Sequence, residues 1–151
     1  GRGIHSVIIR YCLEHKLLFE SADYHSAVFM GYDKDGKARY GALRSTVSSY
    51  KGELTGSDKH FSFFLEGKPN AEHIHVFESA IDLLSFATLA LLARRDWKSE
   101  TYLSFVGRPL SGCRFHTYEY RQDPQSLLSQ QRVVYGRQTV LRPESNLLQN
   151  A

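Results

Sequence analysis

Cysteine is scarce. Cys12 and Cys113 are the two in 151 residues, short of the four ligands of a structural zinc site and without C-x-x-C spacing, so neither a zinc module nor a disulfide-dense scaffold is built on them. No apolar signal segment opens the chain, and an intracellular, cytoplasmic protein with reduced thiols is expected. Long apolar runs are missing too. The longest, Ala80 to Ala93, covers 14 residues and includes Asp82, Ser85 and Thr88, against the ~18–20 that cross a bilayer, so no membrane partner is expected. There is no internal repeat, no P-loop and no nucleophile elbow around Ser45, Ser48 or Ser49, which removes Walker-type nucleotide binding and serine hydrolysis. The chain starts Gly1-Arg2-Gly3 without an initiator Met, as expected after removal of a tag or for a piece of something longer.

What is present is ordinary in amount and unusual in placement. Hydrophobic content of 42% with 23% charged residues is that of a globular domain, and 151 residues make about one. The formal charge of +3 from 19 Lys+Arg and 16 Asp+Glu permits a polyanionic partner without requiring one. Residues 1–107 balance 13 bases against 13 acids, whereas 108–151 hold six Arg against Glu119, Asp123 and Glu144. That tail has no Lys and contains all six Gln, a composition foreign to the rest.

Apolar residues Ile4, Val7, Ile8, Tyr11 and Leu18 recur at helical spacing, predicting a helix from Ser6, as N-cap, to about Lys16. Runs 27–32 and 38–43 read as strands joined by Asp33-Lys34-Asp35-Gly36, where Gly36 supplies the positive φ of a tight hairpin. Residues 45–59 are rich in Ser, Thr and Gly and predict a loop; 60–65 predict a strand. Then His73 to Phe77 reads as strand, Ser79 to Arg94 as a helix apolar on nearly every side, and Tyr102 to Val106 as a second strand. Such a βαβ unit places its strands parallel in one sheet. Beyond Gly107 only weak alternation at 114–121 and strand-like pieces at 131–142 remain.

The sharpest chemical signal is Glu78 at the carboxyl end of a strand, with Asp82 four residues on. Ligands gather at strand carboxyl ends in open α/β sheets, and a four-residue helical step puts both acids on one face, where they can share Mg²⁺. The same spacing equally suits an acid favouring the helix dipole beside a solvated one.

Residues 73–85 resemble the first motif of the TOPRIM domain of primases, topoisomerases and small nucleases: a hydrophobic strand, a Glu, a small residue, and an Asp four places after the Glu. Ser79 stands where that family usually has Gly. Tyr102 to Gly107 is similar to the second TOPRIM strand with its terminal glycine, and Val28 to Gly36 with Gly41 to Arg44 resembles the subdomain preceding TOPRIM in bacterial primases, with 56–59 a loose match to its Lys-containing segment. The order of pieces over 4–107 looks most like primase-like TOPRIM proteins of bacterial mobile elements. The resemblance implies an α/β protein: a small N-terminal α+β subdomain with a β-hairpin at 4–68, a partial TOPRIM-like βαβ unit at 72–107, and a divergent tail at 108–151. It also implies Mg²⁺-dependent phosphodiester chemistry in DNA metabolism, primase-like or nuclease-like, with Glu78 as catalytic acid/base or metal ligand and Asp82 supporting it. The family's later D-x-D is absent from this chain, so an enzyme incomplete as it stands is expected. The rival expectation is a non-catalytic nucleic-acid-binding or assembly module. The composition break at Arg108 coincides with the end of the family pattern, as a shifted frame or a foreign replacement of the C-terminal half would produce.

Arg39, Arg44, Lys51 and Lys59 interleave with Tyr40, Tyr50 and Phe61. Cations attract phosphates and aromatic faces stack bases, although a solvated strand face over core aromatics has the same pattern. With the resemblance, Arg44, Lys51 and Lys59 become the expected contacts to single-stranded DNA. Asp33 to Gly36 opens like a calcium loop, but the twelfth position is Arg44 where a bidentate Glu is needed. His73 and His75 share one side of a strand without a third ligand nearby. A truncated sheet with a very apolar helix is expected to seek a second copy, giving a homodimer.

Overall fold

The computed structural model describes residues 3–104 and, for the backbone alone, 115–119. Mixed α/β content is confirmed: two helices pack with two four-stranded sheets. Helix α1 (Ser6–Glu14) is capped by His5, not Ser6, because the His5 Nδ1 reaches the Val7 N–H at 3.2 Å. It stops two residues before the expected end. Lys16 takes a left-handed φ of 58°, and the Lys16 and Leu17 amides return to the carbonyls of Leu13 and Cys12, a Schellman closure. Leu18 therefore leaves the helix and begins a strand that its helical spacing had concealed.

The first sheet is an antiparallel meander of β1 (Leu18–Glu20), β2 (Ala27–Tyr32), β3 (Ala38–Arg44) and β4 (Lys51–Glu53), in that order. The expected β2–β3 hairpin forms. Asp33 Oδ1 accepts from the amides of Asp35 and Lys37, both at 3.0 Å, and Gly36 has φ 73°, so the Asp is bound up in turn geometry and not in a calcium loop. The expected loop at 45–59 contains β4, a strand held by its ladder to β3 and not by propensity, since Lys-Gly-Glu has no strand signal.

The second sheet runs β5–β7–β6–β8, from β5 (Phe64–Leu65), β6 (His73–Phe77), β7 (Thr101–Ser104) and β8 (Phe115–Glu119). Strands β6 and β7 are parallel neighbours, with α2 (Ala80–Leu92) between them in sequence, as the βαβ reading requires. Strands β5 and β8 pair antiparallel to β7 and β6. Only Phe64 and Leu65 of the expected strand at 60–65 enter a ladder. Residues 61–62 instead cross Gly31 so closely that a Cβ there would lie 2.8 Å from the carbonyl oxygens of Phe61 and Ser62. Phe105 to Gly107, Cys113, Asp123 and the strand-like pieces at 131–142 lie outside the described residues, as does the tail but for the β8 backbone.

One buried cluster draws on both segments that the sequence separates. Ile8, Cys12, Phe29, Tyr40 and Ala42 meet Phe63, Phe77, Leu83, Leu84 and Tyr102. Phe29 and Phe63 join edge to face at 5.4 Å, and helix α1 is tied to α2 where Thr88 Oγ1 accepts the His5 N–H at 3.1 Å. The apolar run expected to be buried is buried on its sheet side, at Leu83, Leu84 and Ala87. No helix among the described residues is long and apolar enough to cross a membrane.

Candidate functional site

Two groups of sequence-singled residues fall at separate places. The first lies where β6 ends and α2 starts. Ser79 is extended at φ −147° and ψ 155° and caps the helix. Its Oγ accepts the Asp82 N–H at 3.2 Å and donates to Asp82 Oδ2 at 2.7 Å. Asp82 is thus a reciprocal capping partner, half-buried in the first helical turn. Glu78 is exposed, and no hydrogen bond or ion pair holds it among the described residues. The four-residue spacing does not put the two acids on one helix face as expected, because Glu78 precedes the cap on extended backbone and belongs to the strand exit. Among the described residues no group of three His, Cys, Asp or Glu is placed to hold a metal ion. Mg²⁺ is held by one or two carboxylates with substrate phosphates and waters, and here one of the two carboxylates is already engaged by a hydroxyl. The described residues therefore do not make a magnesium centre on their own.

His73 and His75, expected on one side of a strand, do lie on one side of β6, their rings 6.4 Å apart. His73 faces Glu100, Nδ1 to Oε1 at 3.3 Å. His75 packs against Phe86 and Tyr102, at 5.1 and 5.4 Å between centroids. Burial lowers the His75 pKa below the usual imidazole range, outweighing Glu100, which raises it. Burial also pushes the Tyr102 phenol up to about 12.

The second group lies on the meander. Arg44 and Lys51 are direct cross-strand partners at the end of the β3–β4 ladder. The Arg44 guanidinium donates to the Leu43 carbonyl at 2.8 Å, and among the described residues no carboxylate pairs with either cation. Like charges directly opposite on a sheet oppose pairing, and this pair closes the ladder. Lys59 does not join them: it pairs with Glu53 Oε2 at 3.2 Å. Arg39 is likewise occupied, bridging Asp33 at 3.4 Å and Asp58 at 3.6 Å with its guanidinium 5.0 Å above the Phe61 ring. Backbone amides in turn hold Asp33 and Asp58 below the usual carboxylate range, that of Lys37 foremost for Asp33 and that of His60 for Asp58. Of the expected contacts, then, Arg44 and Lys51 come together and Lys59 is diverted.

Sequence reasoning set Tyr50 beside this pair but missed Tyr24 and the loop contact that brings the two rings to one end of the sheet. The loops 21–26 and 45–50 meet where Thr46 Oγ1 donates to the His25 carbonyl at 3.2 Å, exposing Tyr24 and Tyr50 at the same end of the sheet. Recognising β1 and β4 was the missing step, since the loops cannot be brought together without the strands that flank them.

Residues 1–69, from α1 through the meander to β5, match the model of DUF3991, a family described as proteins of unknown function. The match spans less than half of the chain and stops before β6. No curated protein and no solved structure matches the chain.

Proposed function

We propose that this chain is a TOPRIM-like, primase-like or nuclease-like protein of DNA metabolism, incomplete for Mg²⁺-dependent phosphodiester chemistry as it stands. The observation behind the reading is Glu78: an exposed carboxylate, unengaged among the described residues, at the carboxyl end of β6, next to the parallel strand β7 and one residue before the cap of α2. That is where α/β sheets take ligands. Glu78 would act as the acid/base or as a ligand, and Asp82 would first have to release Ser79 in order to support it. Calorimetric titration of MgCl₂ into wild type and Glu78→Gln tests this. Weak binding in the wild type that the variant loses supports the enzyme reading, and no heat in either removes it.

A second reading, a non-catalytic nucleic-acid-binding module, is favoured by the opposed Arg44 and Lys51, with which no carboxylate among the described residues pairs. Each lost phosphate contact to a single strand lowers the salt slope of binding by about 0.7. Replacing both residues with Ala should therefore weaken binding to single-stranded DNA and flatten its salt dependence, while Lys59→Ala should do less. Equal affinity in the double variant would refute the contacts.

A further inference from the structure

His73 and His75 have no third ligand near them in sequence, but the fold brings glutamates to their strand from both sides. On the β7 side, Glu100 directly precedes Thr101, the register partner of Ile74. Its Oε2 accepts the His73 N–H at 3.0 Å, and its Oε1 lies 3.3 Å from His73 Nδ1. A carboxylate can only accept, so the ring carries a proton on Nδ1 and, when neutral, keeps its lone pair on Nε2. Metal-binding histidines use such a partner to fix tautomer and ring orientation. On the β8 side, the register sets Glu119 directly opposite His73, and Thr117 opposite His75. Residues directly opposite share a face with Cβ atoms ~4.5–5.5 Å apart, and diagonal neighbours stand about 7–8 Å apart. His73, His75 and Glu119 therefore occupy three adjoining positions on one face of the sheet. That face is sheltered on one side and open on the other. His75 packs on Phe86 and Tyr102, and its burial favours the neutral imidazole, the state that binds metal. The His73 side chain is 37% exposed, so an ion can reach it from water.

We infer that His73, His75 and Glu119 form the protein side of a site for a divalent transition-metal ion of the Zn²⁺ type, with Glu100 as the positioning residue behind His73. The donor set chooses the ion. Two imidazole nitrogens and one carboxylate oxygen suit Zn²⁺ and its first-row neighbours, whereas Mg²⁺ takes oxygen ligands. The site is thus separate in chemistry from the Mg²⁺ reading of Glu78, and separate in place, since Glu78 follows the opposite end of β6. Among the described side chains no three such groups converge on an ion, for Glu100 is engaged by His73; the third ligand comes with the register of β8. Three protein ligands leave the fourth tetrahedral position to water or to a substrate oxygen, the arrangement in which zinc polarises or activates an oxygen.

The test titrates ZnCl₂ into the whole chain by calorimetry and follows CoCl₂ by visible absorption, on wild type, His73→Gln, Glu119→Gln, Glu100→Gln and Cys113→Ser, with circular dichroism checking each fold. Wild type should bind one Zn²⁺ per chain and give the intense d–d absorption of four-coordinate Co²⁺. His73→Gln and Glu119→Gln should each lose that absorption. Glu100→Gln should keep it while weakening Zn²⁺ binding about 10- to 100-fold, because the amide places no charge behind the ring. A merely structural Glu100 would alter stability and leave the affinity unmoved, and wild-type affinity in this variant removes the positioning role. Cys113→Ser should match wild type. No binding by wild type, or binding by Glu119→Gln equal to wild type, overturns the site. Loss of binding in Cys113→Ser with retention in His73→Gln would assign the ion to the thiol and overturn it as well. Should His73→Gln fail to fold, Glu119→Gln, on the edge strand of its sheet, still decides.

Discussion

The Ser79 hydroxyl both caps α2 and holds Asp82, so two substitutions at this one position separate stability from ligand readiness. Ser79→Ala removes the acceptor for the Asp82 N–H and the donor 2.7 Å from Asp82 Oδ2. Loss of such a cap costs ~0.5–2 kcal/mol. The carboxylate bond adds little, because Asp82 is only half-buried and water replaces the hydroxyl. We expect a loss of about 1.5 kcal/mol, or roughly 3–6 °C in Tm for a chain of this size. Ser79→Gly removes the same atoms but opens the helix terminus to water, and glycine in place of a capping residue costs only a few tenths of a kcal/mol. Its loss should be about 0.5 kcal/mol, while the Asp82 carboxylate is freed as in the alanine variant. Urea unfolding followed by circular dichroism reads the midpoints, with unchanged slopes required. If the glycine variant is as damaged as the alanine one, or the alanine variant matches wild type within ~0.3 kcal/mol, the hydroxyl is not the cap that the geometry describes. Calorimetry on the glycine variant then asks whether releasing Asp82 increases Mg²⁺ binding at Glu78, as the enzyme reading requires.

Gly31→Ala should destabilise by about 1–3 kcal/mol, toward the upper end, because the new Cβ meets two backbone carbonyl oxygens at 2.8 Å and not a movable side chain; a urea midpoint equal to wild type would mean that the crossing at 61–62 readily gives way. Arg94 closes α2 at a left-handed φ of 58°. Relief of about 1–2 kcal/mol of backbone strain, less the roughly 0.5–1 kcal/mol entropy of glycine, predicts that Arg94→Gly stabilises by roughly 0.5–1 kcal/mol in the same assay, and a destabilised variant would refute the strain. The His75 pKa lies below its unfolded value of ~6.5, chiefly through burial. Below that pH the unfolded chain binds the extra proton, so this contribution is complete above pH ~6.5 and lost as pH falls through the folded pKa. His75→Phe should flatten the fall in urea midpoint between pH 7.5 and 5.5, and an unchanged profile would place the titrating group elsewhere.

The parts of the fold that reason from local signals reached were those whose signals are local. The β2–β3 hairpin is set by Asp33 and Gly36 within a few residues, and the β6–α2–β7 unit by two short apolar runs flanking a long one that is apolar on nearly every side. Elements that exist because of a distant partner stayed hidden: β4 is three polar residues held by β3, β1 begins at a leucine that also fits the helix pattern, and 60–63 reads as strand yet spends its backbone crossing Gly31. The sites divide in the same way. Glu78 at the strand exit was visible because it adjoins a recognisable strand. That Asp82 is claimed by Ser79, Lys59 by Glu53 and Arg39 by two aspartates was not, since spacing lists neighbours in sequence without saying which charges are already answered in space.

The same distinction bears on how the two candidate sites relate. Glu78 leaves the sheet whose inner face carries Phe77 and Tyr102, while Arg44 and Lys51 end the sheet whose inner face carries Phe29 and Tyr40, and all four rings belong to one buried cluster. Ser104, the last residue of β7, donates from both its amide and its hydroxyl to the Phe63 carbonyl, at 2.9 and 3.2 Å. Phe63 also packs on Phe29. Phe63 is therefore one direct fastening between strand exit and meander within the shared cluster, and a close-packed core resists continuous deformation. A strand of nucleic acid held at the meander would meet Glu78 at a fixed separation. Phe63→Leu, which keeps the position apolar while removing the edge-to-face contact and leaving a small cavity, should therefore loosen coupling between the sites before it unfolds the chain. In the wild type, nucleic acid should alter the hydrogen exchange of the Glu78–Asp82 amides, and in Phe63→Leu that response should shrink. An identical response in both would mean that the two sheets communicate by another route or not at all.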